Sequence, residues 1–202
     1  MLKTLHQKLK QEQKLLMGKI NLFKENKGRA LFVIVILVVS ALFGWGIANS
    51  LVISTGESLN KTLFIKSFSK EIREGDYVII MSDPDDPIAK GRYLTKKVFC
   101  APGSVLKIKG DDYYCNDSFI GAAKHKTKTG EPVTPFNPCM FPSQDKLNLA
   151  AKKVDNEGNS YCEIRIPDGY YFVAGTHKDS YDSRYFGLVP FSKILCKTIP
   201  II

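Results

Sequence analysis

From residue 30 to residue 53 the chain reads ALFVIVILVVSALFGWGIANSLVI, 24 residues without one charged side chain. At a rise of about 1.5 Å per residue, a helix of that length crosses a hydrocarbon core of roughly 30 Å. A charge-free helix so long is foreign to the core of a small globular protein, so the segment reads as a membrane span. The whole chain has 202 residues and a formal charge of +9, a value that by itself invites a nucleic-acid reading. The distribution removes that reading. Residues 1–29 hold eight basic and two acidic side chains, a net of +6, which leaves only +3 for the remaining 173 residues. Nucleic acid is therefore not expected as a partner.

The basic flank orients the span. The side carrying the Lys and Arg excess stays in the cytoplasm, so residues beyond 53 lie outside. A cleaved signal peptide shares the basic start and apolar run, but its apolar region is only about 7–15 residues long. In residues 2–23, Leu2, Leu5, Leu9, Leu16, Ile20 and Phe23 recur at helical spacing among lysines. That pattern fits a basic helix on an anionic lipid surface, or a solvated charged helix. Three parts follow: a cytoplasmic segment 1–29, a span 30–53 and an external domain 54–202.

The external part alternates strands with turns. YVIIM (77–81), YLTKKVFC (93–100), VLKIK (105–109), 113–115, YYFVA (170–174) and 194–198 have the apolar and β-branched character of strands, separated by Gly and Pro pairs. Residues 116–165 are rich in Pro, Thr and Lys, with a helix-like patch at 145–153, and read as an excursion from the β core. The Phe and Tyr content belongs to core and strand surface, not to a base-stacking platform.

Chemistry has to come from this external part. His6, His125 and His177 do not form a metal-ligand cluster, and there is no Gly-rich phosphate loop. A Ser-His-Asp arrangement using His177 and Asp182 would crowd both into one short loop, with no nucleophile-elbow motif. Three segments carry the pattern instead: Gly56-Glu57-Ser58-Leu59-Asn60-Lys61-Thr62-Leu63-Phe64, then Lys96-Lys97-Val98-Phe99-Cys100-Ala101-Pro102-Gly103, and a block from Gly175 to Pro190 containing Ser180-Tyr181-Asp182-Ser183-Arg184. With the Gly75-Asp76 strand and the N-terminal apolar run, their order and spacing resemble the type I signal peptidases, and more closely the TraF-type peptidases of conjugative transfer. The resemblance spans roughly 55–199 apart from the middle, and the last block is its most specific part.

That resemblance implies a mainly β, signal-peptidase-like antiparallel catalytic domain behind a transmembrane helix. It implies Ser58 as nucleophile and Lys96 as general base, with Ser180, Asp182, Ser183 and Arg184 supporting them, and no cofactor. Two departures stand out: Asn60 and Lys61 occupy positions where relatives carry proline, and Gly56 stands where housekeeping enzymes have a serine that assists the oxyanion hole. The backbone N–H of Ser58 would then carry more of that task. Ser54, Ser67 and Ser69 are the other nearby serines, but none precedes the matching Leu-Phe pattern.

The dyad also has a physical case of its own. A serine hydroxyl needs a base during attack, and a lysine serves only if desolvation brings its pKa of about 10.4 toward 7–8. Leu94 and Val98 flank Lys96 on one face of its strand, whereas Lys97 points the other way. Ser58 follows the apolar run by five residues, a link of at most roughly 18 Å, so it lies near the outer membrane surface.

Five cysteines leave several pairings open. Cys100 with Cys115, and Cys139 with Cys162, could pair in an oxidising compartment with Cys196 left over, free buried thiols being the alternative. The function expected is a single-pass, bacterial inner-membrane serine endopeptidase with a periplasmic catalytic domain. It would cleave, and in some relatives cyclise, an exported precursor, here the pilin of a conjugative type IV secretion system. A general type I signal peptidase and a catalytically silent scaffold of the secretion apparatus are the alternatives.

Overall fold

The computed structural model describes residues 2–54 and 58–201, except for the side chains of 2–9 and 20–26. It divides into a helical unit, Met1–Ser50, and a β unit, Leu51–Ile202. The helical unit is one continuous helix, α1 (Leu2–Ser50), so the basic segment and the apolar run share one axis. Its stretch Lys27–Ser50 is long and apolar enough to cross a membrane. Of the amphipathic positions, Leu16 is exposed, while Leu2, Leu5, Leu9, Ile20 and Phe23 lie outside the described side chains. The apolar run divides at Ser50. Residues 51–53 leave the helix and form a strand, because Leu51, Val52 and Ile53 pair with Ile65, Phe64 and Leu63.

The β unit holds two antiparallel sheets. The first contains β1 (Leu51–Ile53), β2 (Leu63–Lys66), β3 (Tyr77–Met81), β4 (Tyr93–Cys100), β10 (Tyr170–Ala174), β11 (Val189–Pro190) and β12 (Ile194–Pro200), in the order β1-β2-β12-β3-β4-β10-β11. The second contains β5 (Val105–Lys109), β6 (Asp112–Cys115), β7 (Ser118–Ala122), β8 (Ala150–Val154) and β9 (Ser160–Arg165), in the order β7-β6-β5-β9-β8. A four-residue helix, α2 (Ser183–Phe186), follows β10. The expected strands are all present. The expected antiparallel, mainly β domain is therefore the observed one.

The middle of the chain differs from its sequence reading. Residues 116–165 supply β7, β8 and β9, three of the five strands of the second sheet, and apart from the turns at 116–117 and 155–159 the stretch from 123 to 149 is what runs free of the sheets. The helix expected at 145–153 does not form. The Asp145 carboxylate instead accepts the backbone N–H groups of Leu149 and Ala150 at 2.9 and 3.0 Å, and Asn148 takes a left-handed φ of 52°. The chain then runs extended as β8 against β9, which satisfies its backbone across the ladder.

Two apolar clusters hold the unit together. One gathers Leu106, Ile108, Tyr113, Ile164, Ile166 and Phe172 with the cysteines, and the other joins Val78, Ile80, Val98, Tyr171, Val173 and Val189 behind β4. Disulfides link Cys100 to Cys115 and Cys139 to Cys162, and Cys196 is a free, half-buried thiol. The first bridge ties β4 of one sheet to β6 of the other.

Candidate active site

Strand β4 is what brings a lysine indoors. It lies between β3 and β10, with Lys96 opposite Val78 and Val98 opposite Val173, so the period-2 alternation of the strand turns Lys96 into the apolar cluster. Lys96 is 1% exposed. Lys97, its neighbour, is half-buried on the other face with its ammonium 5.3 Å from the Phe99 ring. Burial drives the Lys96 pKa down from 10.5 to about 8; Asp182 pulls it back up, and Arg184 pushes it further down.

The Lys96 ammonium donates to Ser180 Oγ at 2.8 Å. Ser180 belongs to the segment between β10 and α2, and Asp182 folds that segment. One Asp182 oxygen accepts from Arg184 N and Nε at 3.1 and 2.9 Å, capping α2. The other accepts from Arg184 Nη2 and from Gly175 N, both at 2.8 Å. Arg184 also donates to the carbonyls of Ala122 and Ser180, at 2.8 and 3.3 Å. Ser183 Oγ accepts from Val173 N at 3.0 Å and pins the helix to β10. Asp182, Ser183 and Arg184 are each 2% exposed or less, so this ion pair works in a dry setting where its geometry is fully satisfied.

Ser58 sits against the same segment. It is half-buried, its carbonyl accepts the backbone N–H of His177 at 3.2 Å, and Leu59 beside it is buried. Asn60, one of the two departures from the family pattern, has a partner: Thr176 Oγ1 accepts from Asn60 N at 3.2 Å and donates to Asn60 Oδ1 at 3.0 Å. This two-point bond holds the turn after Ser58 where a proline would otherwise stiffen it. A Cβ on Gly175 would meet Ser180 Oγ at 2.2 Å and the Ser58 carbonyl oxygen at 2.3 Å, so only glycine lets the two approach. Ser180 and the Ser58 carbonyl thus meet at one glycine, and Lys96 reaches this point through its bond to Ser180.

The remaining sequence candidates fall elsewhere. Gly56 lies outside the described residues. Ser67 and Ser69 accept backbone N–H groups two residues further on, at 3.2 Å each. His177 Nδ1 accepts from Asp179 N at 3.2 Å, and the Asp182 oxygens are taken by Arg184 and Gly175, so His177 and Asp182 form no catalytic pair. The sequence marks Gly175 and Thr176 as part of the last block without giving them a role, and it does not mark Tyr113. The Tyr113 hydroxyl donates to the carbonyls of Phe136 and Arg184 at 2.6 and 3.1 Å, fixing α2 from below. A Gly-Thr pair directly after an apolar strand was the available signal for the first two; Tyr113 gave none.

Comparison with known proteins identifies the family. No curated protein matches the chain. Among solved structures, a signal peptidase I from Enterococcus faecalis V583 is similar at 19% identity and a TM-score of 0.34, over 62% of this chain and 95% of that one. Residues 25–202 match the family described as signal peptidase, peptidase S26, which is most of the chain. The protein belongs to that family of serine peptidases, which act on exported precursor proteins at the membrane.

Proposed function

We propose that Ser58 is the nucleophile and Lys96 the general base of a single-pass membrane endopeptidase. Residues 1–29 are cytoplasmic, the apolar run from residue 30 spans the inner membrane, and the domain from residue 54 onward works on the periplasmic side. The observation that carries this reading is a lysine held in an apolar cluster at 1% exposure with a pKa of about 8. Its ammonium is bonded to Ser180, the residue that shares Gly175 with Ser58.

Lys96, neutral before attack, takes the Ser58 proton as Oγ bonds to the scissile carbonyl carbon. It then passes that proton to the departing amine as the C–N bond breaks, leaving an acyl-enzyme. A water attacks next, giving one proton to Lys96 and its oxygen to the acyl carbon; the bond from that carbon to Ser58 Oγ breaks, and Lys96 returns the proton to Oγ. Ser180 keeps the amine aimed, while the Asp182–Arg184 pair fixes the segment that carries Ser180. If the substrate's own amine replaces the water, the product is a cyclic peptide.

The Gly175–Pro190 block supports the narrower reading of a TraF-type enzyme that matures the pilin of a conjugative type IV secretion system. A general signal peptidase would use the same residues. A silent scaffold is disfavoured by Lys96 itself: burying an amine is costly, and a fold without chemistry gains nothing from it. The test is co-expression of the pilin precursor with wild type, Ser58→Ala and Lys96→Ala, followed by intact-mass measurement. Both substitutions are expected to abolish processing, and processing that survives them overturns the dyad. A product lighter by one further water identifies cyclisation.

A further inference from the structure

Behind the Ser180 segment lies a cavity of about 680 Å³ that the proposed chemistry does not use. It opens between the end of β3, α2 with β11, and the stretch 143–149. Its floor is apolar, built from Phe136, Ile164, Phe186, Leu188 and Val189. Its rim is acidic: Asp83, Asp85, Asp86 and Asp145 stand there against Lys146 and Lys193. Of these four carboxylates, only Asp83 has a direct ion pair among the described residues, with Lys193 at 2.9 Å. The Asp145 and Asp86 carboxylates are held in place by backbone N–H groups, which fix the charge without cancelling it. A net negative rim on a chain of net charge +9 is a local inversion of sign.

The cavity shares its wall with the catalytic segment. Tyr181, next to Ser180, donates its hydroxyl to Asp86 Oδ2 at 2.9 Å. The Tyr181 ring stacks on Tyr185 at 5.3 Å and meets Phe186 edge-on at 5.6 Å. A volume of this size accepts a large side chain with its neighbours, and the rim selects positive charge beside it.

We propose that this cavity is an exosite for the exported precursor, taking an apolar side chain from a segment flanked by Lys or Arg and lying outside the scissile bond. It rests on the family's action on precursors and not on the Ser58–Lys96 assignment. The partner's chemistry follows from the site: the apolar floor takes an aromatic or aliphatic anchor, and the uncompensated carboxylates take the flanking cations.

The test uses the full chain in detergent and two labelled probes, acetyl-Lys-Lys-Phe-Leu-Lys-Lys-amide and its counterpart with Glu for every Lys, followed by fluorescence anisotropy. The cationic probe is expected to bind and the acidic one not to, with affinity falling as salt rises. Asp85→Asn should weaken binding about twofold, the worth of one uncompensated rim charge. Leu188→Trp, which fills the floor while leaving the charge intact, should weaken it as well. Ser58→Ala should bind the probe as wild type does, because the exosite is separate from the dyad. Equal binding of the two probes, or binding untouched by both the rim and the floor substitutions in chains that melt like wild type, overturns the exosite. If binding is lost only in Ser58→Ala, the probe occupies the catalytic cleft and the exosite is again overturned. None of these outcomes bears on whether Lys96 is the base.

Discussion

A lysine at 1% exposure is a stability cost as well as the proposed general base, and the two can be measured apart. Below pH 8 Lys96 is protonated in both the folded and the unfolded chain, and lowering its pKa from 10.5 to about 8 penalises folding by about 3 kcal/mol. As pH rises through 8 toward 10.5, the folded protein has released the proton while the unfolded chain keeps it, so the penalty disappears. Lys96→Met is therefore expected to be inactive yet more stable than wild type at pH 7, by about 3 kcal/mol in urea unfolding. The difference should close as pH approaches 10.5. Wild-type kcat/KM should rise through an apparent pKa of about 8. A Met variant no more stable at pH 7 would mean that the ammonium is not penalised and that burial does not tune it. The inward face of Lys96 was readable from strand alternation with Leu94 and Val98. Its contact with Ser180 joins residues 84 positions apart, and no local pattern encodes such a pairing.

At the scale of elements, legibility followed period and length. Strands β3, β4, β5 and β10 have apolar runs that need no partner to be recognised. β8 (AAKKV) is short, with four of its five residues exposed, and owes its extended form to the ladder with β9. That pairing overrode the helix preference of Ala and Lys. The two-residue β11 and the three-residue β1 were likewise invisible without their partners. The stretch between β7 and β8 has little regular structure, yet Phe136 in it accepts the Tyr113 hydroxyl and donates its N–H to the Arg184 carbonyl at 2.7 Å. What fastens it is the bridge from Cys139 to Cys162 on β9, 23 residues apart. Closing a loop of that length is worth about 3 kcal/mol. Replacing Cys139 and Cys162 by alanine should lower urea-unfolding stability by about that amount, and reducing agent, which also opens the Cys100–Cys115 bridge, should lower wild type by more. Unfolding indifferent to both treatments would contradict the bridge.

A signal peptidase works on precursors at the membrane, and one face of the first sheet carries an exposed apolar row. Register sets Leu51, Ile65 and Ile199 opposite one another on β1, β2 and β12, so all three project from the same face, 39%, 40% and 53% exposed. Ile53, 72% exposed, pairs with Leu63 one step along the same strands. A contiguous apolar row of this kind is costly in water and favourable against acyl chains or a partner. β1 starts at the residue after α1 ends, so the row begins next in sequence to the apolar stretch of α1. We predict that it rests in the lipid interface. The chain has a single tryptophan, Trp45, within α1, so a Trp45→Phe background leaves the domain dark. In proteoliposomes, the emission of Ile199→Trp in that background should be quenched by brominated acyl chains. Emission of Glu157→Trp, in the turn between β8 and β9 of the other sheet, should not be. An Ile199→Trp variant whose emission ignores brominated lipid would sink the lipid contact and leave the row to a protein partner. Quenching at both positions would mean that the whole domain associates with the bilayer without a preferred face.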